Sequence, residues 1–383
     1  RKVKVFKTGP DFIDPIFHEF ASGHPAHQLD LGMMGETICR QHLYQAALEA
    51  DLILIEGVMG MFDGANSSAA LAAKFGIPLL AVIPAAKMAQ TFGVIAYGLA
   101  HYHDNVNLFG VIANYVGSPG HAAMLEDSLP EGIEICGAMP RDSSVLPLPE
   151  PVCFEAPICD SGKFLSSRPV SNPALQPLSG QIIAIAKDAA FSFIYRDNIT
   201  LLERLGANIL YFSPIEDAAM PMADSLYLPG GYPELHLEAL SENMSMCRSI
   251  RQHIHSNKPT LAECGGMLYL LEQLTTKSGE IAEMLGALPG KASMQDKLQG
   301  LGMLSAEISG HTMTGHCFHY SKSDIAQLPI AIASQAGKPR MQERVYLYHN
   351  TLASYVHWYL PSSPELVCRL FLGQLNGADG VSV

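Results

Sequence analysis

Pro259-Thr-Leu-Ala-Glu-Cys264-Gly-Gly-Met-Leu-Tyr-Leu270 sets one cysteine between an apolar strand pattern and a helix pattern, with two glycines immediately behind it. A strand-to-helix elbow of this kind forces the residue into a strained turn, exposes its sulfur and aims a helix N-terminus at it, which favours thiolate. Gly265 must follow, because a side chain there would block an approaching carbonyl. Taken alone, Cys-Gly-Gly before a helix is more often structural than catalytic, so the reading depends on its surroundings. Upstream, Tyr227-Leu-Pro-Gly230-Gly231-Tyr-Pro-Glu234 directly follows a strand pattern, and consecutive glycines at a strand end can present backbone N–H groups to a developing oxyanion. Downstream, Ala353-Ser-Tyr-Val-His357 offers a base on a late strand. Cysteine before histidine is the order a thiol acyl-transfer site uses, and the coincidence of all three elements predicts Cys264 as nucleophile and His357 as base.

Working outward, regular α/β alternation surrounds this elbow. Strand patterns at 182–186, 207–212, 225–228 and 259–262 alternate with helix patterns at 193–205, 237–256 and 265–274. Beyond Gly286, Gly- and Ser-rich segments read as antiparallel hairpins, and a helix at 364–374 closes the chain. The first 140 residues alternate likewise. Strands are expected at 2–7, 52–56, 79–83, 108–114 and 133–139, and helices at 37–49, 67–75 and 88–102, the signature of a parallel α/β sheet. The run Leu52-Ile-Leu-Ile55 reads as a buried parallel strand. Between residues 142 and 180, seven prolines from Pro147 to Pro177 prevent both helix and central strand and mark a linker. The expected division is therefore 1–145, a 146–180 linker, and 181–383.

Composition limits the function classes. The 383 residues carry 24 basic and 37 acidic side chains, a formal net charge of −13, and are 48% apolar. A surface this acidic, with no local basic patch, argues against nucleic-acid or membrane-surface binding. Eight irregularly spaced cysteines read as reduced thiols, and no apolar run is long enough to span a bilayer, so a cytoplasmic protein is expected. Arg1 rather than Met opens the chain on a strand pattern, which predicts that the natural protein begins earlier.

The quoted segments, together with Ala186-Lys-Asp-Ala-Ala-Phe-Ser-Phe193, Phe212-Ser-Pro214 and Gly315-His-Cys-Phe-His-Tyr-Ser321, closely resemble the C-terminal glutaminase domain of the cobyrinic acid a,c-diamide synthase family. The resemblance implies a class I glutamine amidotransferase-like C-terminal domain. There Cys264 attacks the glutamine amide, Gly230, Gly231 and Gly265 form the oxyanion and glutamine site, and His357 shuttles protons. Triad glutaminases commonly carry a Glu two residues after this His; here Tyr359 stands there, and what orients His357 is open. The family usually has Glu at the position of Cys317. His316, Cys317 and His319 also invite a metal reading. Successive residues on a hairpin strand face opposite sides, however, and no fourth ligand has zinc spacing.

Two acidic clusters end strands in the first region: Lys7-Thr-Gly-Pro-Asp11-Phe-Ile-Asp-Pro15 and Glu56-Gly-Val-Met-Gly-Met-Phe-Asp63-Gly64. In parallel α/β domains, ligands bind outside the carboxyl ends of strands, and carboxylates there commonly hold Mg²⁺ against phosphates. Both clusters, with Leu29-Asp-Leu-Gly-Met-Met34 and Gly110-Val-Ile-Ala-Asn114, are similar to the same family, whose ATP-binding fold resembles dethiobiotin synthetase and is P-loop NTPase-like. The resemblance implies that Glu56 and Asp63 serve Mg²⁺ and ATP, and that Asp11, with Phe12 and Ile13, contacts the corrinoid substrate. Three features depart from the family. No G-x-x-x-x-G-K-[ST] pattern occurs in the 383 residues, although the family carries one just upstream of where this chain starts, and extension of the chain is expected to reveal it. Pro151-Val-Cys-Phe154 replaces the usual Arg-His-Leu-Gly-Leu after Pro149-Glu150, and Ile83-Pro-Ala85 stands where an Asp is common.

The resemblance implies ATP- and glutamine-dependent amidation of the a and c carboxylates of cobyrinic or hydrogenobyrinic acid, in a chain that can pair as a homodimer. Amidation of a nickel sirohydrochlorin is the alternative within enzymes. From another class, a corrinoid-binding remnant lacking the phosphate loop is the alternative, against which the retained Asp11, Glu56 and Asp63 argue.

Overall fold

The computed structural model describes residues 1–141, 176–335 and 338–375. Nearly all of the expected linker and the altered sequence after Glu150 fall outside these residues.

β1 (Val3–Lys7) leads into α1 (Asp14–Ser22), β2 (His27–Gln28), α2 (Leu31–Glu49) and β3 (Leu52–Glu56). α1 forms where the sequence reading expects only an acidic loop. The Asp11 carboxylate accepts the N–H groups of Ile13 (2.8 Å) and Asp14 (3.1 Å), Pro15 lies in the first turn, and Gly23 closes the helix at φ 67°. α2 extends the expected 37–49 helix backwards across a break at Gly35, whose φ is 73°. β3 lies at the edge of a three-stranded sheet ordered β2-β1-β3. It is not the buried central strand that its apolar run suggests, because an edge strand lacks a neighbour on one flank among the described residues, and Leu54 is 45% exposed.

Next come α3 (Ser68–Phe75), β4 (Leu79–Pro84), α4 (Gln90–His101), β5 (Leu108–Val116), α5 (Pro119–Glu126) and β6 (Glu134–Pro140). β4, β5 and β6 pair in parallel, as expected, and pack a core containing Phe92, Val111 and Leu125. Ser67 caps α3 by accepting the Ala70 N–H.

The remainder is larger. β7 (Ile182–Ala186), α6 (Arg196–Arg204), β8 (Asn208–Phe212), β9 (Ser225–Leu228), α7 (Leu237–Glu242), α8 (Met244–His255), β10 (Thr260–Glu263) and α9 (Gly265–Leu270) continue the α/β alternation. The single helix expected over 237–256 is interrupted at Asn243. Its side chain accepts the Met246 N–H as an N-cap and donates to the carbonyls of Pro214 and Asp217. The helix from Gly265 is likewise shorter than expected, since the chain turns after Leu271 into a strand.

That strand is β11 (Gln273–Thr275), followed by β12 (Ile281–Glu283), β13 (Gly290–Met294), β14 (Gly300–Ile308), β15 (His311–His319), β16 (Ser321–Ile325), β17 (Pro329–Gln335), β18 (Lys338–Tyr348), β19 (Thr351–Ser354), β20 (His357–Trp358) and α10 (Pro364–Phe371). Ten strands form one sheet ordered β20-β15-β14-β17-β18-β19-β10-β9-β7-β8. The half from β19 to β8 is parallel; the rest is antiparallel, as the hairpin reading expects. β10 lies inside the parallel half between β9 and β19, so the residue that follows it emerges at the carboxyl end of a fully buried strand.

By compactness the chain divides into one unit of residues 1–39, 52–54 and 169–383 and a second of residues 40–51 and 55–168. The β1–α1–β2 segment thus belongs to the same compact unit as the ten-stranded sheet. No helix among the described residues is long and apolar enough to cross a membrane.

Candidate active site

Cys264 caps β10 and opens α9 in a positive-φ conformation (φ 42°, ψ −105°) that only an over-determined backbone holds in a non-glycine residue. The turn is fixed on both sides: the Cys264 N–H donates to Ser354 O at 2.8 Å, and its carbonyl accepts from Leu268 N at 2.9 Å. The strained elbow is as the sequence predicts, but the sulfur is not open to solvent. Cys264 is only 7% exposed, and burial pushes its thiol well above the usual thiol range, so the resting form is the thiol rather than the expected thiolate.

The glycines permit close approach. A Cβ on Gly265 would lie 2.9 Å from the Gly231 nitrogen, and one on Gly230 would lie 2.1 Å from Cε1 of His357. Gly230 and Gly231 therefore bridge the space from the elbow to the imidazole, and Gly230 O is already engaged by Phe193 N–H at 3.0 Å.

His357 comes from β20, opposite His316 on β15. Burial lowers its pKa to about 3, so the imidazole is neutral in the resting site. Its Nδ1 is buried with no hydrogen-bond partner among the described residues. No hydrogen bond joins it to Cys264; substrate binding is what tightens such contacts. The ring is walled by Phe12 (centroids 5.0 Å apart) and Phe193 (6.0 Å), which stack on each other at 5.0 Å and 8°.

What holds the His357 strand was not legible beforehand. Glu263, wholly buried, accepts the Tyr227 hydroxyl at 2.8 Å and the Trp358 N–H at 2.9 Å, and so ties the residue before Cys264 to the residue after His357. Burial raises its pKa to about 8. Asn198 on α6 donates to Trp358 O and accepts from Leu360 N, both at 2.8 Å. At the place where an orienting Glu is common, Tyr359 instead donates to Asp197, whose other oxygen meets His27 Nδ1 at 2.6 Å. An acid ending the buried β10 strand was the available signal for Glu263. Nothing in sequence spacing joins Phe12 or Asn198 to this site.

Of the remaining predicted residues, Phe12 reaches His357. Asp11 caps α1 and also sits 3.9 Å from the buried Lys7 ammonium; Ile13 is 48% exposed. In the second unit, Glu56 is exposed at the end of β3, and Asp63 folds back to accept the Gly60 N–H at 3.0 Å.

A buried cysteine in a strained elbow, with glycines packed closely between it and a neutral histidine, is the arrangement of a thiol-dependent amidotransferase class of site. Consistently, residues 182–364 match the CobB/CobQ-like glutamine amidotransferase domain. Over nearly its whole length the chain is 46% identical to hydrogenobyrinate a,c-diamide synthase of Stutzerimonas stutzeri (97% of this chain, 91% of that one) and 44% identical to the protein of that name in Pseudomonas aeruginosa (99% and 92%). It is 39% identical to cobyrinate a,c-diamide synthase of Herminiimonas arsenicoxydans (98% and 91%). The chain belongs to this a,c-diamide synthase family.

Proposed function

We propose that this protein amidates the a and c carboxylates of a cobyrinate-type corrinoid, with glutamine as nitrogen donor and ATP as the activating substrate. The observation that carries the reading is the convergence of Cys264, Gly231 and His357 in a chain related along nearly its whole length to synthases of that name. His357 takes the Cys264 proton as the sulfur attacks the glutamine amide carbon. The oxyanion is held by the N–H groups of Gly231 and Gly265, the kind of stabilisation whose loss costs about 10²–10³ in rate. The imidazolium returns its proton to the leaving nitrogen, and water then cleaves the thioester to glutamate. The buried thiol and neutral base keep the site quiet until substrate displaces water.

For activation of the carboxylate, ATP phosphorylates it and ammonia displaces the phosphate. Glu56 and Asp63 offer the hard oxygen donors that Mg²⁺ prefers, and Asp63 keeps one carboxylate oxygen beyond its bond to Gly60. They would hold the ion against the nucleotide phosphates, while Asp11 and its neighbours Phe12 and Ile13 would meet the corrinoid.

Cys264→Ser should abolish glutamine-dependent amidation and leave amidation with ammonium intact; Glu56→Gln should do the reverse to the two half-reactions, stopping ATP-dependent amidation while glutamine hydrolysis persists. Glutamine hydrolysis surviving Cys264→Ser, or normal amidation in Glu56→Gln, would overturn the corresponding assignment.

A further inference from the structure

Cys317 and His319 alternate along β15 and therefore share one face, and directly opposite them on β14 stand Gly302 and Gly300. With no side chain there, both lean across the strand: a Cβ on Gly300 would lie 2.5 Å from His319 Nε2 and 2.7 Å from Cys317 Sγ. The third member is Glu343, which no spacing along the hairpin reveals because it comes from β18. Its Oε1 lies 3.0 Å from His319 Nε2, and the sulfur, the imidazole nitrogen and the carboxylate oxygen all lie within 4.8 Å of one another.

The surroundings of His319 aim its second nitrogen at the other two members. Nδ1 lies 2.9 Å from Ser321 O, and a carbonyl only accepts, so Nδ1 carries the proton. The ring plane is fixed by stacking on Tyr355 at 3.7 Å and 4°. That leaves Nε2 aimed at the Glu343 carboxylate and the Cys317 sulfur, three potential ligand atoms converging in a largely buried space. A backbone carbonyl on the far nitrogen is the arrangement that orients a metal-ligating histidine.

We propose that Cys317 Sγ, His319 Nε2 and the Glu343 carboxylate form a metal site whose donor set, one thiolate, one imidazole and one carboxylate, suits Zn²⁺. Metal–ligand bonds of about 2.0–2.3 Å require only small rotamer shifts from the separations present. The Glu343 side chain is 14% exposed, which leaves room for water as a fourth ligand. Binding releases the Cys317 proton, and any proton shared between His319 Nε2 and Glu343, to solvent, and exchanges that hydrogen bond for bonds from both residues to the metal.

The test uses the full chain, reduced and metal-free, titrated with Co²⁺ alone and then with Zn²⁺ in competition with a chromophoric chelator. One equivalent of Co²⁺ should give a thiolate-to-metal band in the near ultraviolet, and Zn²⁺ should displace it and raise Tm. Cys317→Ala should remove the band and weaken Zn²⁺ more than about 100-fold, and Glu343→Gln should weaken it about tenfold or more. Cys264→Ser should leave binding unchanged. Cys317→Ser serves if the alanine variant does not fold. Absence of stoichiometric binding would reduce the cluster to a His319–Glu343 ion pair and overturn the proposal. So would a band that survives loss of Cys317 or disappears with Cys264.

Discussion

His357 illustrates how much of the site's chemistry is set by burial. Its pKa falls to about 3, and those of His316 and His253 to about 4, in each case first through desolvation of the charged form. Unfolded histidines titrate near 6.5, so between about pH 6.5 and 4 the unfolded chain binds protons that the folded chain refuses. Stability must then rise with pH in that window, by up to about 1.4 kcal/mol per pH unit for each group. Glu263 works in the opposite sense: its folded pKa, raised to about 8, gives stability that is full below about pH 4.5 and lost as pH rises toward 8. Glu234 and Asp30, whose carboxyls burial also pushes up, act in the same sense as Glu263, and the large downward shifts of the three histidines outweigh them from pH 4.5 to 6.5. Thermal melts over that range should show Tm climbing, and His253→Asn, away from the nucleophile, should reduce the slope by about one proton's worth. An unchanged slope would contradict the assignment. The sequence points to Cys264 and His357 because their neighbours are glycines and strand residues at recognisable spacing. It does not reveal their burial, since the Phe12 and Phe193 rings that wall His357 come from distant parts of the chain.

Among the elements, the clamp between β10 and β20 is the feature that spacing does not disclose. Glu263 reaches across to the Trp358 N–H and so fixes the strand that carries the base. Glutamine in its place can still accept from Trp358 and pair with Tyr227. Glu263→Gln should therefore keep the rate of glutamine hydrolysis within about threefold, whereas Glu263→Ala leaves two buried polar groups without partners, a cost of about 1–3 kcal/mol for each. The alanine variant should lower kcat more than tenfold with little change in KM, because the binding surface persists while the base is displaced; kcat equal to that of the glutamine variant would remove the positioning role. The parallel strands from β4 to β10 were readable because buried strands are short apolar runs between glycine- and proline-marked turns. α1 does not stand out in the sequence although Asp11, Pro15 and Gly23 are its start and stop signals, because an acidic cluster after a strand suits a ligand site as well as a helix start, and the Asp11 carboxylate does accept the first N–H groups. The 237–256 helix was read as continuous because the Asn243 cap draws on the carbonyls of Pro214 and Asp217, which are distant in sequence.

For the whole molecule, the expectation that the first 145 residues form one body rested on a continuous α/β rhythm. Rhythm reports local structure, not which units cohere. β1, α1 and β2 cluster with the glutaminase sheet through contacts such as Phe12 on His357 and His27 on Asp197, none of which has a sequence signature. The central claim is that Cys264, activated by His357, is the group that attacks glutamine. An electrophilic glutamine analogue with a diazoketone in place of the side-chain amide tests it most directly, read by intact mass and peptide mapping. The account predicts one covalent equivalent on Cys264, suppressed by excess glutamine, lost in Cys264→Ser and slowed in His357→Ala. Labelling at another cysteine, or an undiminished rate in His357→Ala, would contradict it.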